Sequence, residues 1–154
     1  MSEESRDRIA DKVRLHASRE RVWRALADPE EFGQWFGVKG LGPFVPGTTV
    51  RGMITDKGYE HVPFEIAIER MEPGRMFSFR WHPYAVDPAV DYTGEPRTLV
   101  VFELEEVEGG TLLSVVETGF GRLPPGRRAE AYPMHEEGWA AQMKAIERHL
   151  AEAA

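Results

Sequence analysis

Glu117 and His135 are the two residues of this chain whose chemistry could be joined into one site. Glu117 lies in the run Thr111–Phe120, where it shares strand parity with Leu113 and Val115, while Ser114 and Thr118 share the other face. If Leu113 and Val115 point inward, Glu117 does too, and burial would raise its carboxyl pKa unless a cation or hydrogen-bond donor met it. His135 or Arg51 could be that partner, and a Glu117/His135 pair could then work as acid and base. If Leu112 and Val116 mark the inner face instead, Glu117 lies in solvent. A half-apolar strand does not fix its own parity, so both orientations stay open.

Other chemistries lack their residues. His135-Glu136 is not followed by a second histidine at zinc-protease spacing, and His16, His61, His82, His135 and His149 show no paired-ligand spacing. No Gly-x-Ser-x-Gly elbow surrounds any of the five serines. Gly37-Val-Lys-Gly40-Leu-Gly42 has the wrong glycine spacing for a dinucleotide loop and precedes no long helix. With no cysteine, disulfides, thiolate metal sites and cysteine nucleophiles are excluded. The sequence predicts no cofactor and no metal.

The elements that must position the two residues read in order. Ile9 to His16 is strand-like, with Val13 and Leu15 on one face. Ser18 caps a short helix carrying Val22, Trp23 and Leu26. Asp28 caps a second, with Pro29 at its first position and Glu31 completing a capping box. Phe32, Trp35 and Phe36 give that helix an aromatic face. Glycines and prolines mark 37–47 as a loop. Strands are predicted over 48–56, 59–71, 75–82, 97–107 and 111–120, with turns at Asp56-Lys57-Gly58, Glu72-Pro73-Gly74 and Glu108-Gly109-Gly110. Pro83 to Pro96 is a long excursion between two of them.

The chain closes on a helix predicted from about Arg127 to Ala151, which starts or kinks at Pro133. At about 100° per residue, Tyr132, Trp139, Met143, Ile146 and Leu150 form one apolar stripe. His135 and Gln142 flank it, and Gly138 adjoins it where a missing side chain would let a neighbouring backbone come close. Phe77 and Phe102 read as core. Trp35, Trp81 and Trp139 suit a pocket wall, because ligand cavities are lined mainly by apolar and aromatic groups. Tyr84 and His82 flank the excursion, at its hinge or at a pocket mouth.

Composition bounds the partners. The chain has 154 residues, enough for one domain spanning 1–154 with a sizeable core. Its 26 acidic and 19 basic residues leave a net charge of −7, which argues against nucleic-acid phosphates or an anionic membrane surface as a main partner. The charged start and the absence of an apolar window of about 18–20 residues predict a cytoplasmic protein without a membrane span.

Three clusters together carry a resemblance: Val22-Trp23-Arg24-Ala25-Leu26 with Asp28-Pro29-Glu30-Glu31-Phe32 and Trp35-Phe36; Phe77-Ser78-Phe79-Arg80-Trp81; and Gly109-Gly110-Thr111 through Glu117-Thr118-Gly119-Phe120 to Glu137-Gly138-Trp139. In this order they resemble the START-like (SRPBCC) superfamily, and within it the family named for the activator of heat-shock-protein ATPase. The resemblance implies an α+β helix-grip fold: a curved six-stranded antiparallel sheet around a long C-terminal helix, with two short helices after the first strand and a pocket between sheet and helix. The expected function is binding of a small hydrophobic or aromatic ligand there, by Trp35, Phe36, Arg51, Phe64, Trp81, Tyr84, Glu117, Tyr132, His135 and Trp139. Two alternatives stand beside it. One is a co-chaperone-like module with a chaperone partner, stimulating a heat-shock ATPase; the other is a cyclase-like or hydrolytic enzyme using Glu117 and His135. A homodimer through the Trp35-Phe36 region or a sheet edge is compatible with either.

Overall fold

The computed structural model describes residues 7–87 and 89–152. Strand β1 (Arg8–Leu15) leads into helices α1 (Arg19–Ala27) and α2 (Pro29–Phe36). Strands β2 (Val38–Lys39), β3 (Thr49–Ile54), β4 (Pro63–Glu72), β5 (Met76–Trp81), β6 (Thr98–Val107) and β7 (Gly110–Thr118) follow, and helix α3 (Pro125–Glu152) ends the chain. This is the expected helix-grip arrangement, an α+β fold with an open antiparallel sheet and a long C-terminal helix.

The tandem helices form where their caps place them. Ser18 Oγ accepts from the Arg21 amide at 3.2 Å and Asp28 Oδ2 from the Glu31 amide at 2.9 Å, each satisfying an orphan donor of a first turn. The reciprocal half of the expected capping box does not form. The Asp28 amide already donates to Arg24 O at 3.0 Å as the cap that ends α1. The Glu31 carboxylate turns instead to Arg21, to Arg24 Nε at 3.2 Å and to His149 Nε2 at 3.0 Å. That cluster joins α1 and α2 to the last turn of α3.

All strand pairs are antiparallel, in the order β1-β7-β6-β5-β4-β3-β2. The two short helices carry the chain from one sheet edge to the other. Six strands match the expected ones; the seventh, β2, lies inside the stretch expected to be loop. It reaches β3 because two glycines let it. A Cβ on Gly52 would sit 2.7 Å from Val38 Cγ1 and 2.8 Å from Lys39 O, and one on Gly33 would strike Val38 O. A register shift between Ile68 and Arg70 bends β4.

The inner face alternates as the period of two demands. Phe77, Phe79, Val100, Phe102, Leu113 and Val115 are buried, with Val22, Leu26 and Phe32 of the short helices and Met143, Ile146 and Leu150 of α3 in the same cluster. Helix α3 has 28 residues, about 42 Å at 1.5 Å per residue, and it runs through Pro133. Of the two expectations at that proline, a helix start there is ruled out by the earlier start, with the Arg128 amide bonded to Pro124 O at 2.9 Å. None of the described helices is long and apolar enough to cross a membrane.

The Glu31 cluster makes a testable contribution. Burial alone would push the Glu31 carboxyl up, but hydrogen bonds from His149, Arg21 and Arg24 and the Arg21 charge hold it below its ordinary value of 4.5. A carboxyl lowered in the folded state contributes stability above its unfolded pKa and loses it as pH falls through the folded one. Glu31→Gln should therefore lower the unfolding free energy near neutral pH by about 1 kcal/mol, since the cluster is partly solvated. It should also flatten the fall in stability on acidification, as read by urea titrations on both sides of the carboxylate range.

Candidate functional site

The register of β7 settles where Glu117 points. Thr111, Leu113, Val115 and Glu117 are all buried, the alternate residues only partly so, and Glu117 has no exposed surface. A carboxylate sealed from water must replace its hydration with fixed donors. Four are supplied by three elements. At the end of β5, Trp81 Nε1 donates to Oε2 at 2.8 Å, and at the start of β6 Thr98 Oγ1 donates to the same oxygen at 2.6 Å. From α3, one turn apart, His135 Nδ1 and Trp139 Nε1 meet Oε1 at 2.7 and 2.8 Å. Each oxygen thus accepts two hydrogen bonds.

The far side of the imidazole fixes its proton. The Tyr84 amide donates to His135 Nε2 at 3.0 Å, so that nitrogen carries a lone pair and Nδ1–H is the donor to Glu117. The pair is a neutral imidazole on a carboxylate, and the cluster keeps one net negative charge. Burial pushes the Glu117 carboxyl up; the hydrogen bonds from His135, Thr98 and Trp81 outweigh it and hold the group below the ordinary carboxylate range. Both carboxylate oxygens and both ring nitrogens are engaged within the protein.

Above this cluster, between sheet and helix, opens a cavity of about 500 Å³. Phe36, Phe64, Trp81, Tyr84, His135 and Trp139 line it, as do Val38, Ile54, Tyr59, Val62, Tyr92 and Gln142. Trp81 and Trp139 stack with centroids 5.9 Å apart, and Phe36 packs edge-on to Trp139 at 6.0 Å and to Phe64 at 5.6 Å. Phe36 is held by the end of α2, where its carbonyl accepts from Gln142 Nε2 at 3.1 Å and Gly37 turns the chain at φ 87°. Gly138 also lines the cavity, and a Cβ there would meet nothing within 4 Å. Its missing side chain leaves open space rather than admitting a neighbouring backbone, the role expected from sequence.

Three residues expected at the site lie away from the cavity. Trp35 is buried in the core and donates from Nε1 to Ala25 O at 2.8 Å, tying α2 to α1. Arg51 pairs with Glu65 at 2.7 Å on β3 and β4, its side chain 73% exposed, so of the two partners expected for Glu117 it is His135 that meets it. Tyr132 packs on Phe120 and donates to Arg8 O at 2.9 Å. Glu117 itself sits beneath the cavity floor.

Sequence reasoning missed two contributors. Thr98 begins a strand and carries no signal beyond its type, although its register opposite Trp81 places it beside Glu117. Arg127, predicted only as the start of the last helix, holds both ends of the excursion onto α3. It reaches Pro83 O at 2.6 Å, Tyr84 O at 3.4 Å and Glu95 Oε1 at 3.0 Å, and its guanidinium lies 4.7 Å from the Tyr92 ring centre. Tyr84 is held at φ 47°, a left-handed conformation unusual outside glycine, and this aims its amide at His135. Among the described residues, no group of three or more His, Asp or Glu is placed to hold a metal.

The architecture and sequence have relatives. The profile of a family described as "Activator of Hsp90 ATPase homolog 1-like protein" matches residues 16–151. The crystal structure of protein NE0264 from Nitrosomonas europaea superposes with a TM-score of 0.76 at 20% identity, covering 97% of both chains. That of protein MLL2253 from Mesorhizobium loti gives 0.74 at 21% identity, over 96% of this chain and 98% of that one. The solution structure of the Aha1 dimer from Colwellia psychrerythraea gives 0.66 at 16%, over 91% and 92%. None of the curated proteins compared with the chain matches it.

Two measurements probe this site. Glu117→Gln replaces an acceptor with an amide whose own N–H groups face indole and imidazole donors. It should lower the unfolding free energy by about 2–4 kcal/mol in urea titration, the usual cost of breaking a buried charged hydrogen-bond set. Arg127→Met should leave thermal stability within a few degrees of the parent while cleavage within 83–96 under limited proteolysis accelerates several-fold.

Proposed function

The chain belongs to the Activator of Hsp90 ATPase homolog 1-like family, and we propose that it binds a small hydrophobic or aromatic molecule between its sheet and its C-terminal helix. The family and fold support a ligand-binding or co-chaperone-like module. The observation that carries the ligand-binding reading is the aromatic-walled cavity of about 500 Å³, within the range of small-molecule sites. A domain that needed only a core would gain by filling that space, since each unfilled methylene-sized void costs about 1 kcal/mol. Here the space is left open: Gly138 stands in mid-helix, and Tyr84, Val86 and Tyr92 of the excursion line the gap without filling it.

The wall sets the ligand's character. A two-ring aromatic compound burying ~200 Å² of apolar surface gains roughly 5 kcal/mol, part of it offset by lost translational freedom. Dissociation constants from submillimolar to millimolar are expected. Glu117 and His135 enter as the scaffold that turns both indole faces toward the ligand.

The family's description motivates a second reading, a co-chaperone acting on a heat-shock ATPase. Stimulation of a cognate Hsp90 ATPase by the purified protein, unchanged when the cavity is blocked, would favour it over ligand binding.

Gly138→Leu tests the main reading. The leucine side chain enters open space, and replacing a mid-helix glycine favours the helix by about 0.5–1 kcal/mol, so the fold should be at least as stable as the parent. Binding of phenylnaphthylamine, followed by its fluorescence, should weaken by at least ~10-fold as the cavity fills. Equal binding by both proteins would overturn the assignment.

A further inference from the structure

We infer that the cavity selects an aromatic ligand bearing a positive charge, such as an arylalkylamine, and discriminates against carboxylates and other anions. This rests on the reading that the cavity holds a ligand, and adds the sign of its charge.

The lining holds no lysine and no arginine. Its ionised side chains are Asp56 and Glu65. Two arginines approach the wall and both are already paired: Arg51 with the lining Glu65, and Arg127 with Glu95 and the carbonyls of Pro83 and Tyr84, its guanidinium 4.7 Å from the Tyr92 ring centre. Of the two histidines in the wall, His135 accepts at Nε2 from the Tyr84 amide and so carries no charge in this arrangement, and His82 Nε2 donates to Glu95 O at 3.1 Å.

Beneath the floor lies Glu117, whose charge is solvated by four donors but not cancelled. In a medium of low polarisability such a charge is felt across the thickness of a ring. Two of its donors are the indole N–H groups of Trp81 and Trp139. An indole that donates to an anion becomes richer in π-electron density, so the faces it presents are better partners for a cation. Tyr59, Tyr84, Tyr92, Phe36 and Phe64 complete a wall of rings with negative faces. An anion in this space would meet those faces and the field of Glu117, with Arg51 and Arg127 already paired to carboxylates. An ammonium group would meet aromatic faces within and the Asp56 carboxylate in the lining.

The test uses three probes of one shape: naphthalene-ethylamine as cation, ethylnaphthalene as neutral form and naphthaleneacetate as anion. Each is titrated calorimetrically into the parent protein and into Gly138→Leu at physiological ionic strength, where non-specific attraction to a protein of net charge −7 is screened. The amine should bind about tenfold more tightly than the acetate and more tightly than the neutral probe, and the Gly138→Leu substitution should remove that binding. If the neutral or anionic probe binds the parent as well as the amine does, and the substitution abolishes it, the charge preference is overturned while ligand binding stands. If the amine binds both proteins equally, its site is the acidic surface and the inference fails. If no probe binds, both the inference and the proposed function fall.

Discussion

One buried carboxylate sets the geometry of the open end of this fold. Glu117 has no exposed surface, so its stability depends on four donors arriving together from β5, β6 and α3. Sheet and helix cannot slide past each other without breaking some of those bonds. The constraint extends outward, because His135 spends its second nitrogen on the Tyr84 amide and so ties the 83–96 segment to the same charge. The direction in which each indole ring lies follows from where its N–H must point. The wall of the cavity is in this sense a consequence of satisfying a charge.

Along α3 the same apolar stripe does two different things. Toward its C-terminal end Met143, Ile146 and Leu150 are buried as solid core, and His149 closes that end on the Glu31 cluster. One to two turns earlier the stripe meets Gly138, Trp139 and His135, and the packing opens. The difference is volume and polarity: a glycine withdraws a side chain, and a charged cluster below holds the rings upright instead of letting them collapse inward. An aromatic box over a negative charge, with no lysine or arginine in its lining, is the arrangement behind the inferred charge preference. It follows from hydrogen-bond bookkeeping rather than from any single motif.

Much of the fold was legible in the chain. Ser18 and Asp28 cap as their types predict, because a short side-chain oxygen next to a helix start has one good use. The six longer strands follow alternation and turn residues, and the 83–96 excursion shows in its prolines. Less was readable where the outcome depends on something distant in sequence. The β2 strand is two residues in a glycine-rich stretch, and it forms because Gly33 and Gly52 admit it. The Glu31 side chain leaves its expected capping bond because arginines of α1 and a histidine of α3, 118 residues away, compete for it. Trp35 and Trp81 look alike on paper, yet one finds a helix carbonyl in the core and the other a carboxylate at the cavity floor.

The sequence by itself determined the class of fold, the amphipathic last helix, the absence of thiol chemistry and the short list from which a site would be drawn. These depend on local periodicity, capping and composition, which act within a few residues. Only the tertiary structure decided that Glu117 faces inward, that His135 rather than Arg51 meets it, that Arg127 fastens the overlying segment, and that Gly138 leaves room instead of taking it. Each of these depends on which groups are brought together across the sheet and helix. A strand's parity and a glycine's use have no local energy to read until the opposing surface is in place.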